Sequence, residues 1–412
     1  MPKVTTKGLG IILLLWSLPI FAEPFHAEVT LLGQGRQNTR EEVEVPLNGY
    51  AGAGYQAGRW RGETSFRLFR DLDQGLDDAD LYQALLQFQP LTTTSITFGR
   101  QFLSEGFATE MLDGLRAELL PAGPLRLSVY GGIPRTVEEG DFNKDDGLLT
   151  GLSIRLKEEF GTRGGLHAAW RKNDWGVADL GRNDELRLGA DLSRRWNSKI
   201  KPQIYGLAEY NLSSKVLETG TAGLELTAHR RLSVNVEGNY FNANRETNRP
   251  SILSLFTQGE TISGRFALTS TLVEEWMDFI GSYSYQINEI EEETERKGHL
   301  LEAGFPLTFD QLGLLIHPSY YFLNSFGGTV HGAKCSLMEE WNEKFSSELS
   351  ADFATYTKIT SDNDQAFSTV LWTGYRPAEN WKISGGAEYN RNNLFDRDVR
   401  GSLKLDYHYG KI

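Results

Sequence analysis

The chain has 412 residues, with 42 Lys+Arg against 55 Asp+Glu and a formal net charge of −13. Its single cysteine, Cys335, excludes an internal disulfide, a Cys-x-x-Cys site and covalent haem attachment through Cys-x-x-Cys-His. Mean hydropathy of −0.39 argues against a helical membrane protein, but not against a membrane barrel, where only every second strand residue need be apolar.

The chain opens with Lys3 and Lys7, an apolar run from Leu9 to Ile20, and the small residue Ala22. This is the layout of a secretory signal peptide over residues 1–22. A run of about 12 apolar residues is shorter than the about 20 that a spanning helix needs. From 23 to 412 no linker and no Pro- or Ser-rich hinge interrupts the texture, so a single domain is expected.

That domain reads as a succession of amphipathic strands. Leu152, Ile154 and Leu156 alternate with Ser153, Arg155 and Lys157. Leu186, Leu188, Ala190 and Leu192 alternate with Arg187, Gly189, Asp191 and Ser193, and Leu403, Leu405, Tyr407 and Tyr409 with Lys404, Asp406 and His408. The charged face needs water, and the apolar face needs lipid or a core. Strands are expected near 25–36, 44–56, 59–70, 79–89, 94–102, 111–119, 124–133, 148–157, 162–173, 185–196, 200–212, 217–228, 231–242, 259–271, 276–287, 297–307, 311–323, 329–339, 343–357, 365–376, 380–391 and 398–410. That makes about 22, or about 20 if one pair merges, and bacterial single-chain barrels have even numbers. Most segments run about 10–13 residues, against about 5–6 in soluble sheets. The fold class expected is a transmembrane, antiparallel, up-and-down β-barrel.

The connections alternate in length. Ala57-Gly58, Leu120 to Gly123, Glu158 to Gly161, Asn197 to Lys199 and Ala378-Glu379 are tight, whereas 71–78, 137–147, 174–184, 243–258, 288–296 and 358–364 are longer and more polar. Tight turns on the periplasmic side put both termini there and the long loops outside, in the outer membrane of a Gram-negative cell. The long loops also hold the acid: Asp71, Asp73, Asp77, Asp78 and Asp80 in one, Glu138, Glu139, Asp141, Asp145 and Asp146 in another, and Glu289, Glu291, Glu292, Glu293 and Glu295 in a third. Two readings stand, a solvated rim and a field that draws cations or a basic partner. Asp71, Asp73, Asp77 and Asp78 loosely resemble a calcium loop but lack the distal Glu of an EF-hand. Aromatics gather near strand ends, among them Trp60, Tyr82, Phe88, Tyr320, Phe322, Trp381 and Tyr389, as interface girdles require.

The seven histidines, His26, His167, His229, His299, His317, His331 and His408, have no metal-ligand spacing and sit in no nucleophile motif. No Gly-x-Ser-x-Gly, phosphate loop or nucleic-acid signature is present, so neither an enzyme nor a nucleic-acid partner is expected. Gly131-Gly132 and Gly385-Gly386 are strand glycines that mark bends. Cys335 shares a face with Ala333 and Leu337 and is expected to point to lipid. The apolar stretch Ser251 to Phe256 either extends a strand or folds inward toward a partner.

A barrel of this size has a diameter of roughly 40–45 Å, from about 4.8 Å strand spacing and a tilt of about 40°. Barrels this wide normally carry a plug. The chain has no residues to spare for a plug domain, which points to another polypeptide in the lumen.

The run Phe98-Gly-Arg-Gln-Phe102, Glu105-Gly-Phe-Ala108, Met111-Leu-Asp-Gly-Leu-Arg116 and Val129-Tyr-Gly-Gly132 resembles the porin-like barrels that accompany multihaem c-type cytochromes in metal-reducing bacteria. The chain lacks the N-terminal Cys-x-x-Cys of one branch of these barrels and ends Tyr409-Gly-Lys-Ile412 rather than in a terminal aromatic. The resemblance implies a sheath or scaffold for periplasmic and outer-surface cytochromes that pass electrons across the outer membrane. It also implies that this chain binds no cofactor and that haem sits on the partners. The alternative is a passive diffusion porin or solute channel biased toward cations by its acidic loops.

Overall fold

A computed structural model describes residues 25–37, 43–72, 75, 77–103, 110–120, 123–135, 147–159, 161–172, 184–228, 231–242, 260–289, 295–325, 328–358, 363–392 and 397–410. The expected signal peptide, the loop carboxylates Asp73, Glu138, Glu139, Asp141, Asp145, Asp146, Glu291, Glu292 and Glu293, and the stretch Ser251–Phe256 lie outside the described residues.

The alternating segments form strands β1 (Phe25–Gln37), β2 (Val43–Glu44), β3 (Pro46–Ala57), β4 (Trp60–Asp71), β5 (Asp77–Leu91), β6 (Thr94–Leu103), β7 (Glu110–Leu119), β8 (Leu125–Arg135), β9 (Leu148–Glu159), β10 (Thr162–Lys172), β11 (Glu185–Arg195) and β12 (Gln203–Asn211). They continue as β13 (Val216–Ala228), β14 (Leu232–Asn242), β15 (Glu260–Val273), β16 (Met277–Glu289), β17 (Glu295–Gly304), β18 (Leu307–Phe309), β19 (Leu314–Ser325), β20 (Gly328–Asn342), β21 (Phe345–Lys358), β22 (Asn363–Ala378), β23 (Trp381–Arg391) and β24 (Asp398–Tyr409). Two are short annexes. β2 pairs with the end of β1, and β18 resumes the line of β17 after Pro306, whose missing N–H interrupts the ladder. The other 22 are the expected strands, one for one, so the count is 22 and not 20.

Every neighbouring pair is antiparallel, and β1 pairs on one side with β3 and on the other with β24, from Ala27↔Tyr409 to Arg36↔Arg400. The sheet is therefore a closed up-and-down barrel with no free edge. Among the described residues the remainder is turns plus one 3-10 turn at Asp310–Leu312, and no plug domain is present.

Several strands run past their expected ends. Asp71 closes β4, while Asp77, Asp78 and Asp80 belong to β5 rather than to an acidic loop. Asn288, Glu289 and Glu295 likewise belong to β16 and β17. Cross-strand charge pairing explains the first extension: Arg70 lies 3.5 Å from Asp77, and Arg67 3.1 Å from Asp80. Two connections on the long-loop side are themselves short, 212–215 and 326–327.

The outward face is apolar. Leu31, Leu166, Leu192, Val399 and Leu403 are among its exposed side chains. At the short-turn end Trp60 stacks on Phe88 at 4.4 Å and Trp381 meets Tyr407 tilted at 4.5 Å, with Phe25 and Tyr409 in contact at the same end. Nearer the other end Tyr283, Tyr285, Tyr320 and Phe322 cluster around His299 and His331. These are two aromatic belts at two levels, as a bilayer demands. Cys335 pairs with Pro318 and Ala351 and is exposed on this outer face with Ala333.

Candidate functional site

The lumen wall is the candidate site, because alternation turns the polar half of every strand inward. Its charges are tied down by neighbours. Arg187 reaches Glu185 at 3.0 Å, Glu218 at 3.3 Å and Glu209 at 4.0 Å, binding β11, β12 and β13 together. Thr30 donates to Asp406 at 2.6 Å across the β1–β24 seam, and Lys404 lies 2.9 Å from the same carboxylate. Tyr205 donates to Glu237 at 2.6 Å and Tyr321 to Asp352 at 2.9 Å, each spanning two strands. Such cross-strand bonds fix side chains that would otherwise swing in the open lumen.

The bulky inward residues follow a second rule. His26, Tyr130, His167, Tyr205, Tyr321 and Trp372 each sit directly opposite a glycine: Gly54, Gly151, Gly189, Gly223, Gly332 and Gly386 respectively. In every pair a methyl group on the glycine would collide with the ring. The rings therefore lie flat on the wall instead of standing into the lumen, so aromatic mass is gained without loss of bore.

The third feature is a corner at β6–β8. Gly99, Gly114 and Gly132 stand in register across these strands. A methyl at Gly114 would strike the Gly131 carbonyl and Gly132 backbone, and Gly99 has a φ of 109°, open only to glycine without strain. One residue beyond the row, Arg100 donates to both oxygens of Asp113 at 2.7 and 2.8 Å and to the Leu81 carbonyl at 2.9 Å. Arg135 adds a bond to Asp113 at 3.0 Å. Below the row only the inward face is buried. Above it residues on both faces are buried, with Leu112 at 0 % exposure and Gln101 at 3 % on one side and Arg100 at 6 % and Arg135 at 3 % on the other, while Phe102 beside Arg100 stays exposed. Leu103, Leu112, Tyr130 and Leu149 make a small apolar core there. The described strands of the segment that carried the family resemblance thus pack as one unit, and its Gly-Arg and Asp-Gly pairs are the two halves of this corner.

The other expected site residues are not drawn together. Asp77 pairs with Arg70, and the Asp78 carboxylate accepts the Ala79 N–H at 2.8 Å. Asp71 is buried, and among the described residues no group of three His, Cys, Asp or Glu is placed to hold a metal ion. His299 and His331 each share a 2.7 Å hydrogen bond, with the Tyr283 and Tyr320 hydroxyls respectively, on the outer face, His408 sits 4.0 Å from Glu28, and His229 lies outside the described residues. Sequence reasoning missed the Arg100–Asp113–Arg135 cluster. Its signal was present as Arg after one strand glycine and Asp before another, which an antiparallel register brings face to face.

A closed, polar-lined ring of 22 strands with an apolar belt outside has one physical solution, a bilayer outside and a polar medium inside. The fold is that of an outer-membrane, porin-like β-barrel. Solved structures agree on the fold. The translocation pore of the P pilus usher PapC superposes with a TM-score of 0.53 at 9% identity, over 94% of this chain and 100% of that chain. OpdO of Pseudomonas aeruginosa superposes with a TM-score of 0.50 at 11% identity, over 94% and 97%. No protein-family model matches the chain. No curated protein matches it either.

Proposed function

We propose that this barrel is a sleeve, with a second polypeptide filling its lumen, and that the occupant belongs to a chain of c-type cytochromes passing electrons across the outer membrane. The observation that carries the sleeve is the closed ring of 22 strands with no plug domain among the described residues. A ring that wide, left empty, would be a large hole in the outer membrane. The cytochrome assignment draws on the resemblance of the β6–β8 segment, which folds here as a unit around Gly99, Gly114 and Gly132. In this reading the chain holds no haem. Its inward polar residues grip a periplasmic haem protein, the short turns and both termini face the periplasm, and the loop rim meets an outer-surface partner.

A second reading is a passive porin or solute channel. It is favoured by the fixed charges of both signs on the wall, such as Arg187 with its three glutamates and Lys404 with Asp406, which suit a water-filled path.

Purification from the native membrane separates the two. The sleeve predicts a haem-stained partner in constant ratio to the barrel and little conductance from the intact complex. If the barrel arrives alone, conducts freely in planar bilayers, and its deletion leaves extracellular electron transfer intact, the sleeve reading fails and the channel stands.

A further inference from the structure

The order of strands around the ring sorts the charges of the short-turn rim into two arcs. Three consecutive turns, with the strand ends that flank them, comprise residues 115–126, 154–165 and 192–203 at the β7–β8, β9–β10 and β11–β12 connections. They carry nine Lys or Arg against three Glu. The next turn but one begins the opposite pattern. Residues 268–281, 303–316 and 337–350, at the β15–β16, β17–β19 and β20–β21 connections, carry eight Asp or Glu against one lysine. Arg231 of the intervening turn pairs with Glu274, which marks the seam between the arcs. A chain with net charge −13 thus has a basic sector on one rim.

Four of the nine cations are exposed and uncommitted among the described residues. Lys157, Arg163, Lys199 and Lys201 are all exposed and take part in no ion pair among the described residues. Backbone geometry adds an independent sign. Lys201 and Glu275 are two of the three non-glycine residues with positive φ among those described, at 40° and 72°, and each sits at a turn of its own arc. Glycine would take these conformations more readily. Each turn therefore keeps a charged side chain where glycine would be less strained.

We infer that the basic arc is the docking surface for a periplasmic protein with an acidic face. This rests on the reading of the lumen as holding a periplasmic partner and of the short turns as periplasmic. Complementary charge of this kind raises the association rate and fixes orientation, and it weakens with salt.

The test compares the native-host barrel with the variant Arg163→Glu/Lys199→Glu/Lys201→Glu, using Glu275→Lys/Glu343→Lys as control. Heat-modified gel mobility verifies that each barrel is folded. Haem partner recovered per barrel is measured at low and at moderate salt. The expected result is a loss of at least about tenfold for the triple variant, a loss in wild type as salt rises, and no loss for the control. Unchanged partner recovery in a folded triple variant overturns the docking surface while leaving the sleeve intact. If wild type yields no haem partner, the sleeve fails and the rim is tested alone. Poly-glutamate added to the short-turn side of single barrels in a planar bilayer should then block wild-type current at least about tenfold more often than triple-variant current. Equal block overturns the inference.

Discussion

Arg100 grips Asp113 with two hydrogen bonds, at 2.7 and 2.8 Å, directly across the β6–β7 pair. The bond lies one step beyond the registered glycines Gly99 and Gly114, where Arg100 is buried on one face of the sheet and Leu112 on the other. A bidentate pair at such a place orders the corner only while both partners keep their charge.

Asp113→Asn is therefore expected to destabilise the barrel by about 3–5 kcal/mol, since it leaves the Arg100 guanidinium buried without the carboxylate it grips. The check is the urea midpoint of the detergent-solubilised barrel. An unchanged midpoint would show that the corner is held by its glycines alone.

Gly332→Ala should cost about 1–3 kcal/mol, because the new methyl meets the Tyr321 ring. The ring must then leave the wall, breaking its 2.9 Å bond to Asp352 and narrowing the bore. Gly401→Ala is the control, with nothing within 4 Å of the added methyl. Unfolding midpoint and single-channel conductance should both fall for the first variant and hold for the second.

Arg187→Met removes the cation shared by Glu185, Glu209 and Glu218. Arg187 is 23% exposed, so the expected loss is that of charged hydrogen bonds rather than of a fully buried ion pair, about 1.5–3 kcal/mol. In a reconstituted barrel the reversal potential should move toward cation selectivity. A shift the other way would mean that these glutamates do not face the conducting path.

Cys335 offers a direct test of which face meets lipid. In liposomes it should react with a lipophilic maleimide and resist a charged, membrane-impermeant one, from either side. Rapid labelling by the charged reagent would place it in the lumen and invert the inward and outward assignment of β20.

The strands were legible because alternation is a local property. Leu186 to Leu192 announces a two-faced strand with no knowledge of its neighbours. Boundaries were less so, since the ladder continues wherever a partner strand offers a counter-charge, as Arg70 does for Asp77. The remainder of the site depends on register. Nothing in the order Tyr321…Gly332 says that the two stand opposite one another, and nothing in Arg100 says that Asp113 will face it, until the β6–β7 and β19–β20 hairpins fix the count. The rim arcs needed still more, because turns remote in sequence become consecutive only when the order of the strands around the ring is known.

The bond from Thr30 to Asp406 joins residues 376 positions apart. Closure therefore belongs to the final act of folding. Until β24 reaches β1 the molecule is an open sheet with two raw edges, each able to recruit a foreign strand. The last dozen described residues are thus a latch as well as a wall. A chain stopped before Asp398 would be missing its closing stave, and the whole preceding sheet would be left adhesive at both ends.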